Sequence, residues 1–417
     1  LKKDPLYLSL KRQAMRQIMK KFMFLVMLSS MVACTGQNKV EDKNTAVPNK
    51  GLVGGPFENA EFMYIGMPEK INAIDTSAAW NLGGQKLLIT GTIFKKDGRT
   101  PAPGVILYYY HTDTNGRYTF KEGLDERVRR HGFIRGWVKS DENGNYAIYT
   151  VRPAAYPNHS DPAHIHPSIK EPFIEKEYYI DEFVFDDDPL LTSAKRRAME
   201  NRGGSGILRV LQHGDMQIAE HNIILGLHIP NYPETEENTI VSGKEIGEDV
   251  FSFTPMHAWG PDKGTKTCPI CKYGRYHGIL YFVGNEPDWP QIKRWLTYFE
   301  SESAARKPYL KTFFIYGSDK DYDSNERLKQ LEALGAELRL KYVALTFVPS
   351  FLDTSSEINL NQINPEVGST LLLYRNSTII DKFLNLEANK ANFELIAKRL
   401  NETTNNYFKL STPWGVE

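Results

Sequence analysis

"GFIRGWVKSDENGNYAIYTV", residues 132–151, sets two runs of strand composition on either side of Asn143-Gly144. Valine, isoleucine, tyrosine and tryptophan at short alternating spacing suit a pleated, half-buried strand. Asn-Gly favours the tight primed turns that join hairpin strands. The rhythm extends in both directions: KLLITGTIF, GVILYYYH, EYYIDEFVF and HNIILGLHI are further short runs between residues 86 and 232. This pattern predicts an antiparallel sandwich or barrel. "TDTNGRYTF" from Thr112 echoes "SDENGNYAIY" from Ser140, each with Asp, Asn-Gly and a tyrosine two residues past the glycine. Tyr118 and Tyr146 are therefore expected at similar places on two hairpins.

At 417 residues the chain exceeds what one core serves, so two domains are expected. Lysine plus arginine and aspartate plus glutamate both number 51, which leaves no global charge to attract nucleic acid. Negative mean hydropathy argues against a polytopic membrane protein. From Met19, MKKFMFLVMLSSMVAC has a basic head, a short apolar run and small Ala33 before Cys34. It resembles a bacterial lipoprotein signal, which implies lipidation of Cys34 and an exported protein anchored to a membrane of the cell envelope. A short membrane anchor with an incidental cysteine is the alternative. Residues 1–18 read as an over-extended start, 1–34 as start plus signal, and 35–85 as tether and lead-in.

Polar, acidic residues 233–255 read as a linker. Beyond them GILYFVG, KTFFIYGS, VALTFVPS, STLLLYRN and TIIDKFLNL alternate with helical patterns near 289–305, 325–340 and 390–400. Such alternation predicts an α/β unit with a mixed sheet over 256–417.

Most histidines lie between His111 and His228, and singly they suit surface or core positions. "YPNHSDPAHIHPSIKEP", residues 156–172, differs: on a strand, His164 and His166 point to one face and can reach one metal ion.

Read with its neighbours, this pair resembles a known family. "GRYTF" at 116–120, "PAAYP" at 153–157, "PAHIH" at 162–166 and "FVFDDDP" at 183–189 follow the order of the intradiol ring-cleavage dioxygenases, the catechol and protocatechuate dioxygenases. The resemblance covers 86–232 and implies a β-sandwich. It also implies ferric iron held by Tyr118, Tyr156, His164 and His166, and cleavage of a catechol-type diol with O2 to a muconate-type diacid in aromatic catabolism. Two phenolates and a hydroxide on Fe(3+) sum to zero charge, which suits a low-dielectric pocket. Zinc more commonly takes cysteine, carboxylate or further histidines. The family's mechanism makes Tyr156 a displaceable ligand that holds a substrate proton. Asp161 stands where the family carries arginine, and Glu182 where it carries glutamine. Tyr156, Asp161 and Glu182 are thus the candidate catalytic residues. A compensating cation from Arg135 or Arg152 is one expectation. The alternative is a membrane-anchored metal- or ligand-binding protein without ring cleavage.

Ser369 to Leu400 resembles the last strands and helix of thioredoxin-like proteins. Cys268-Pro-Ile-Cys271 precedes GILYFVG, whereas thioredoxins place the CxxC after the first core strand, and Ser369 stands where they have a cis-proline. A redox pair, a structural disulfide and a zinc site with His257 or His277 are the readings of the two cysteines.

Overall fold

The computed structural model describes residues 51–233, 240–320 and 322–411, which belong to one compact unit. The signal, Cys34 and residues 35–50 of the tether lie outside the described residues.

The N-terminal half is two sheets packed face to face. One contains β1 (Ile74–Thr76), β2 (Lys86–Phe94), β5 (Asn145–Val151), β10 (Val210–His213), β11 (Met216–Glu220) and β12 (Ile223–Ile224), in the order β1-β5-β2-β11-β10 with β12 on β2. The other contains β3 (Ile106–His111), β4 (Arg135–Lys139), β6 (His164–Lys170), β7 (Tyr178–Tyr179), β8 (Phe183–Phe185) and β9 (Ile207–Leu208). Their order is β4-β3-β6-β8-β9 with β7 on β6. Leu87, Ile89 and Ile148 from the first sheet meet Leu107, Tyr109, Ile165, Ile169 and Phe183 from the second, all buried in one core. Alternation then fixes the site: because Ile165 and Ile169 enter the core, His164 and His166 emerge on the opposite face of their sheet.

The hairpin expectation needs correction. Both Asn-Gly turns are tight: Asp141 Oδ1 accepts from the Asn143 and Asn145 amides at 2.9 and 2.8 Å. Asp113 Oδ1 accepts from those of Asn115 and Arg117 at 2.8 and 3.0 Å. Gly144 and Gly116 both take positive φ, 77° and 73°, which glycine adopts without steric cost. Yet β4 pairs with β3 and β5 with β2, so the second turn carries the chain from one sheet to the other. No strand follows the first turn. Tyr146 enters the core and donates to the His221 carbonyl at 2.9 Å, while Tyr118 does not. Turn chemistry is local, whereas pairing is decided by β2 and β3, distant in sequence.

The C-terminal half is a mixed sheet of β13 (Met256–Trp259), β14 (His277–Val283), β15 (Leu310–Tyr316), β16 (Val343–Phe347), β17 (Ser369–Arg375) and β18 (Thr378–Leu384). Its order is β13-β16-β15-β14-β17-β18, with β14, β15 and β16 mutually parallel. The continuous apolar run of β14 is buried at every position, as a central parallel strand requires. The helix Trp289–Ala305 starts where Asp288 accepts from the Gln291 amide at 3.1 Å and Pro290 fits the first turn. Its Ile292, Trp295, Leu296 and Phe299 form the buried stripe against the sheet.

Two segments read as connectors are fixed parts of the fold. β1 lies within 35–85 and pairs parallel with β5. Residues 242–250, within the segment read as linker, bond to both halves. The Gly247 amide donates to Ile379 at 2.8 Å, the Gly247 carbonyl accepts from Ser205 at 2.8 Å, and Asp249 pairs with Arg209 at 2.6 Å. Lys244 and Glu248, 5% and 6% exposed, pair at 2.8 Å within this seam. Removing one member of a buried pair strands the other charge, so Lys244→Ala is expected to cost about 3 kcal/mol in urea unfolding. Burial pushes the Glu248 carboxyl up, but the bonds from His228 and Lys244 outweigh it and bring it to about 2. A depressed carboxyl stabilises the fold above its ordinary value of 4.5. That stability is therefore expected to fall as pH drops from there toward 2, and Lys244→Ala to flatten the dependence.

Candidate metal centre

The loop 112–118 and the loop 154–157 meet because Gly116 has no side chain. A Cβ there would lie 2.0 Å from the Ala155 carbonyl oxygen. The Ala154 amide donates to Asp113 at 3.1 Å and Thr112 Oγ1 to Ala154 at 2.7 Å, which pins the loops together. Tyr118 and Tyr156 are thereby carried to the outer face of β6, where their hydroxyls are in direct contact. Tyr118 Oη lies 2.8 Å from His166 Nε2, and Tyr156 Oη 3.3 Å from the same atom. His164 Nε2 lies 3.1 Å from both Tyr156 Oη and His166 Nε2. The structure thus brings together all four residues read from the sequence as ligands.

The outward-facing ring nitrogens fix the tautomers. His164 Nδ1 donates to the Pro162 carbonyl at 2.7 Å, and His166 Nδ1 to Glu182 Oε1 at 3.0 Å. Both Nε2 atoms therefore face inward as lone pairs. The four inward atoms make five close contacts but carry only the two phenolic protons, so hydrogen bonds cannot satisfy them all. The Nε2 pair in particular has no proton between its atoms. A cation at the centre turns every one of these lone pairs into a bond. Ligand atoms about 2.0–2.1 Å from an ion in tetrahedral array lie about 3.3 Å apart, close to the 3.1–3.3 Å of three of the five contacts, while the two made by the Tyr118 hydroxyl are tighter. The donor set fits a metal ion.

Burial, reinforced by Tyr156, pushes the Tyr118 phenol far above its ordinary range. Burial also raises Tyr156; the bond from Tyr118 opposes the shift, while Glu182 and Asp161 add to it. Burial lowers His166 against the pull of Glu182 and keeps the imidazole neutral. Without an ion both phenols stay protonated, so loading must expel two protons. Lowering the pH by one unit is accordingly expected to weaken ferric loading by at least about a hundredfold, more where bound water also gives up a proton as hydroxide, read by chelator competition corrected for chelator protonation.

Cross-strand register supplies contacts the sequence did not announce. Tyr110 on β3 stands opposite His166 and stacks on it at 4.5 Å, with His131 stacked on its other face at 3.7 Å. Glu182 lies beside β8, whose Phe183 pairs with Ile165, and so reaches His166 from the other side. Asp188 Oδ2 accepts from the Ala163 amide at 2.8 Å and anchors the approach to β6.

Residues 72–202 match the Dioxygenase family model. The match begins earlier and ends earlier than the segment 86–232 and includes all four converging residues. Catechol 1,2-dioxygenase of Acinetobacter baylyi is 31% identical over 91 residues, 22% of this chain and 28% of that protein. The protocatechuate 3,4-dioxygenase beta chain of Burkholderia cepacia is 27% identical over 114 residues, 26% of this chain and 48% of that protein. The chain thus spans less than half the length of either relative. Among solved structures, the dioxygenase domain of a Streptomyces sp. SirexAA-E fusion protein is 19% identical. That likeness covers 38% of this chain and 91% of the other, with a TM-score of 0.29. Hydroxyquinol 1,2-dioxygenase from Pseudomonas putida DLL-E4 is 21% identical, covering 44% and 68%, with a TM-score of 0.28. The sandwich therefore carries an intradiol dioxygenase family segment.

Neither compensating cation reaches the site. Arg135 donates to the Phe62 and Ile65 carbonyls at 2.8 and 2.7 Å, and Arg152 pairs with Asp187 and Gln217. Arg152 is held through both terminal nitrogens by Asp187 and Gln217, whereas Arg135 is anchored through Nη2 to backbone carbonyls and keeps a buried Nε without a partner. Asp161 is exposed on the loop before β6. His111 is a satisfied core residue bonded to Thr112 and Thr150, and burial pushes it down to about 4. In the C-terminal half Cys268 and Cys271 form a disulfide at the helix Pro269–Tyr273. His257 and His277 bond to Thr267 and Thr403 instead, which corrects the zinc expectation.

Proposed function

We propose that the sandwich is a ferric intradiol dioxygenase that cleaves a catechol-type diol with O2 to a muconate-type diacid. The observation that carries this reading is the convergence of two phenol oxygens and two imidazole lone pairs with too few protons to satisfy them. Two phenolates favour a hard, highly charged ion, hence Fe(3+) held by Tyr118, Tyr156, His164 and His166. When bound, ferric iron supplies the Lewis acidity that draws electron density from the diol and opens its ring carbon to dioxygen. The chain's residues do the rest. Gly116 and the Asp113 turn hold Tyr118 rigid. Tyr156 sits on a short loop between proline residues, and its phenolate oxygen takes a substrate proton. Glu182 and the Pro162 carbonyl keep both imidazoles presenting Nε2.

Purified protein given ferric iron is expected to show a broad visible tyrosinate-to-iron band that shifts when catechol is added under nitrogen. A colourless, iron-free protein would sink this reading. The departures at Asp161 and Glu182 favour a second reading, a metal- or ligand-binding sandwich without turnover; it predicts the band but no ring-opened product.

The C-terminal half belongs in this proposal as a thioredoxin-like scaffold, a reading supported by the order β15-β14-β17-β18 and the helices Trp289–Ala305 and Lys390–Glu402. Its Cys268–Cys271 bridge then serves structure, and resistance to a dithiol buffer short of unfolding is the test. Lipidation at Cys34 and a cell-envelope location complete the proposal, tested by whether Cys34→Ser moves the protein from the membrane to the soluble fraction.

A further inference from the structure

Two carboxylates flank the donor set and no cation answers them. Glu182 Oε1 lies 3.0 Å from His166 Nδ1, and its side chain is 49% exposed. Asp161, exposed, precedes His164 by three residues on the loop that also carries Tyr156. Among the described residues, no lysine or arginine bonds to the four donor atoms, to Asp161 or to Glu182. The basic side chains nearby are engaged elsewhere. Arg152 is on Asp187, Arg196 on Asp186, Arg135 on backbone carbonyls, and Lys195 on the Ser160 carbonyl rather than on Asp161. A ligand set of two phenolates and a hydroxide cancels the charge of a ferric ion, so these carboxylates set the sign of the field that an incoming ring meets.

We infer that Asp161 and Glu182 select substrate by charge: the site takes diols whose ring substituent is neutral or cationic and rejects ring carboxylates. This rests on the dioxygenase reading of the site and names its substrate class. Two charges at the mouth of a half-exposed site act through an effective dielectric between that of water and protein, so their effect is sizeable and weakened by salt. A carboxylated diol would also need a cation to pair with, and the described contacts place none on the four donors, Asp161 or Glu182.

The test uses the iron-loaded full chain under nitrogen, with dissociation constants read from the shift of the visible band. The probes are catechol, 3,4-dihydroxybenzoate and 3,4-dihydroxybenzylamine. The amine is expected to bind at least about tenfold more tightly than the carboxylate at low ionic strength, with the ratio shrinking in 0.5 M salt, used as about a 4 Å screening length. Asp161→Asn and Glu182→Gln should each reduce the ratio. Because Glu182 also orients a ligand, Asp161→Asn is the decisive variant: its iron stoichiometry should match wild type while its charge preference falls. Equal binding of the two charged probes, or a ratio unmoved in Asp161→Asn, overturns the inference. Band and catechol shift without charge preference would refute charge selection alone, whereas absence of the band refutes the dioxygenase reading and this inference together.

Discussion

Tyr118→Phe and His166→Ala are each expected to abolish the visible ferric band, with loss of iron affinity beyond about a hundredfold. The estimate starts from the 10–100-fold typical for removing an outer partner of a metal ligand and adds the loss of the ligand itself. Tyr118→Phe is the cleaner change because it deletes one oxygen atom and keeps the ring near Tyr110. His166→Ala removes more. It leaves Glu182 without its partner and opens the stack on Tyr110. Iron stoichiometry, visible absorbance and thermal unfolding should be measured on the same samples, so that a folded, colourless variant is separated from an unfolded one. Full iron and colour in both variants would refute the ligand assignment.

The second large effect is expected at Glu182. Glu182→Gln keeps an acceptor for His166 Nδ1–H but removes the charge, whereas Glu182→Ala removes both. Iron affinity should fall in the order wild type, Gln, Ala, with the Ala loss about 10–100-fold. The ferric/ferrous potential should rise in the same order, because a carboxylate on the imidazole favours the higher-charged ion. A potential unchanged in both variants would assign Glu182 to the surface rather than to the centre.

Much of the site was legible in the sequence, for physical reasons that can be named. Alternation in "AHIHPSI" settles that His164 and His166 share a face opposite Ile165 and Ile169, which the core confirms. The Asn115-Gly116 turn before Tyr118 was readable, but the close approach of Gly116 to Ala155 was not. Tyr110, His131 and the bond from Glu182 to His166 were not legible, because each depends on the register of β6 against β3 and β8, and register is not a local property. The same limit explains Asn143-Gly144. Its turn was readable, but the sheets its two arms join were not. Residues 242–250 look like a linker by composition, yet backbone bonds to Ser205, Ser377 and Ile379 and the Lys244–Glu248 pair make them a seam. Arg135 and Arg152 were plausible site cations by proximity in sequence and are spent on carbonyls and Asp187 in the fold.

Isotope incorporation tests the central claim most directly. Iron-loaded protein given catechol under 18O2 is expected to yield a ring-opened muconate-type diacid carrying two 18O atoms, both atoms of one dioxygen molecule. Recovery of unreacted catechol from a coloured, iron-replete protein, or a product with 18O in neither carboxyl group, would contradict the account.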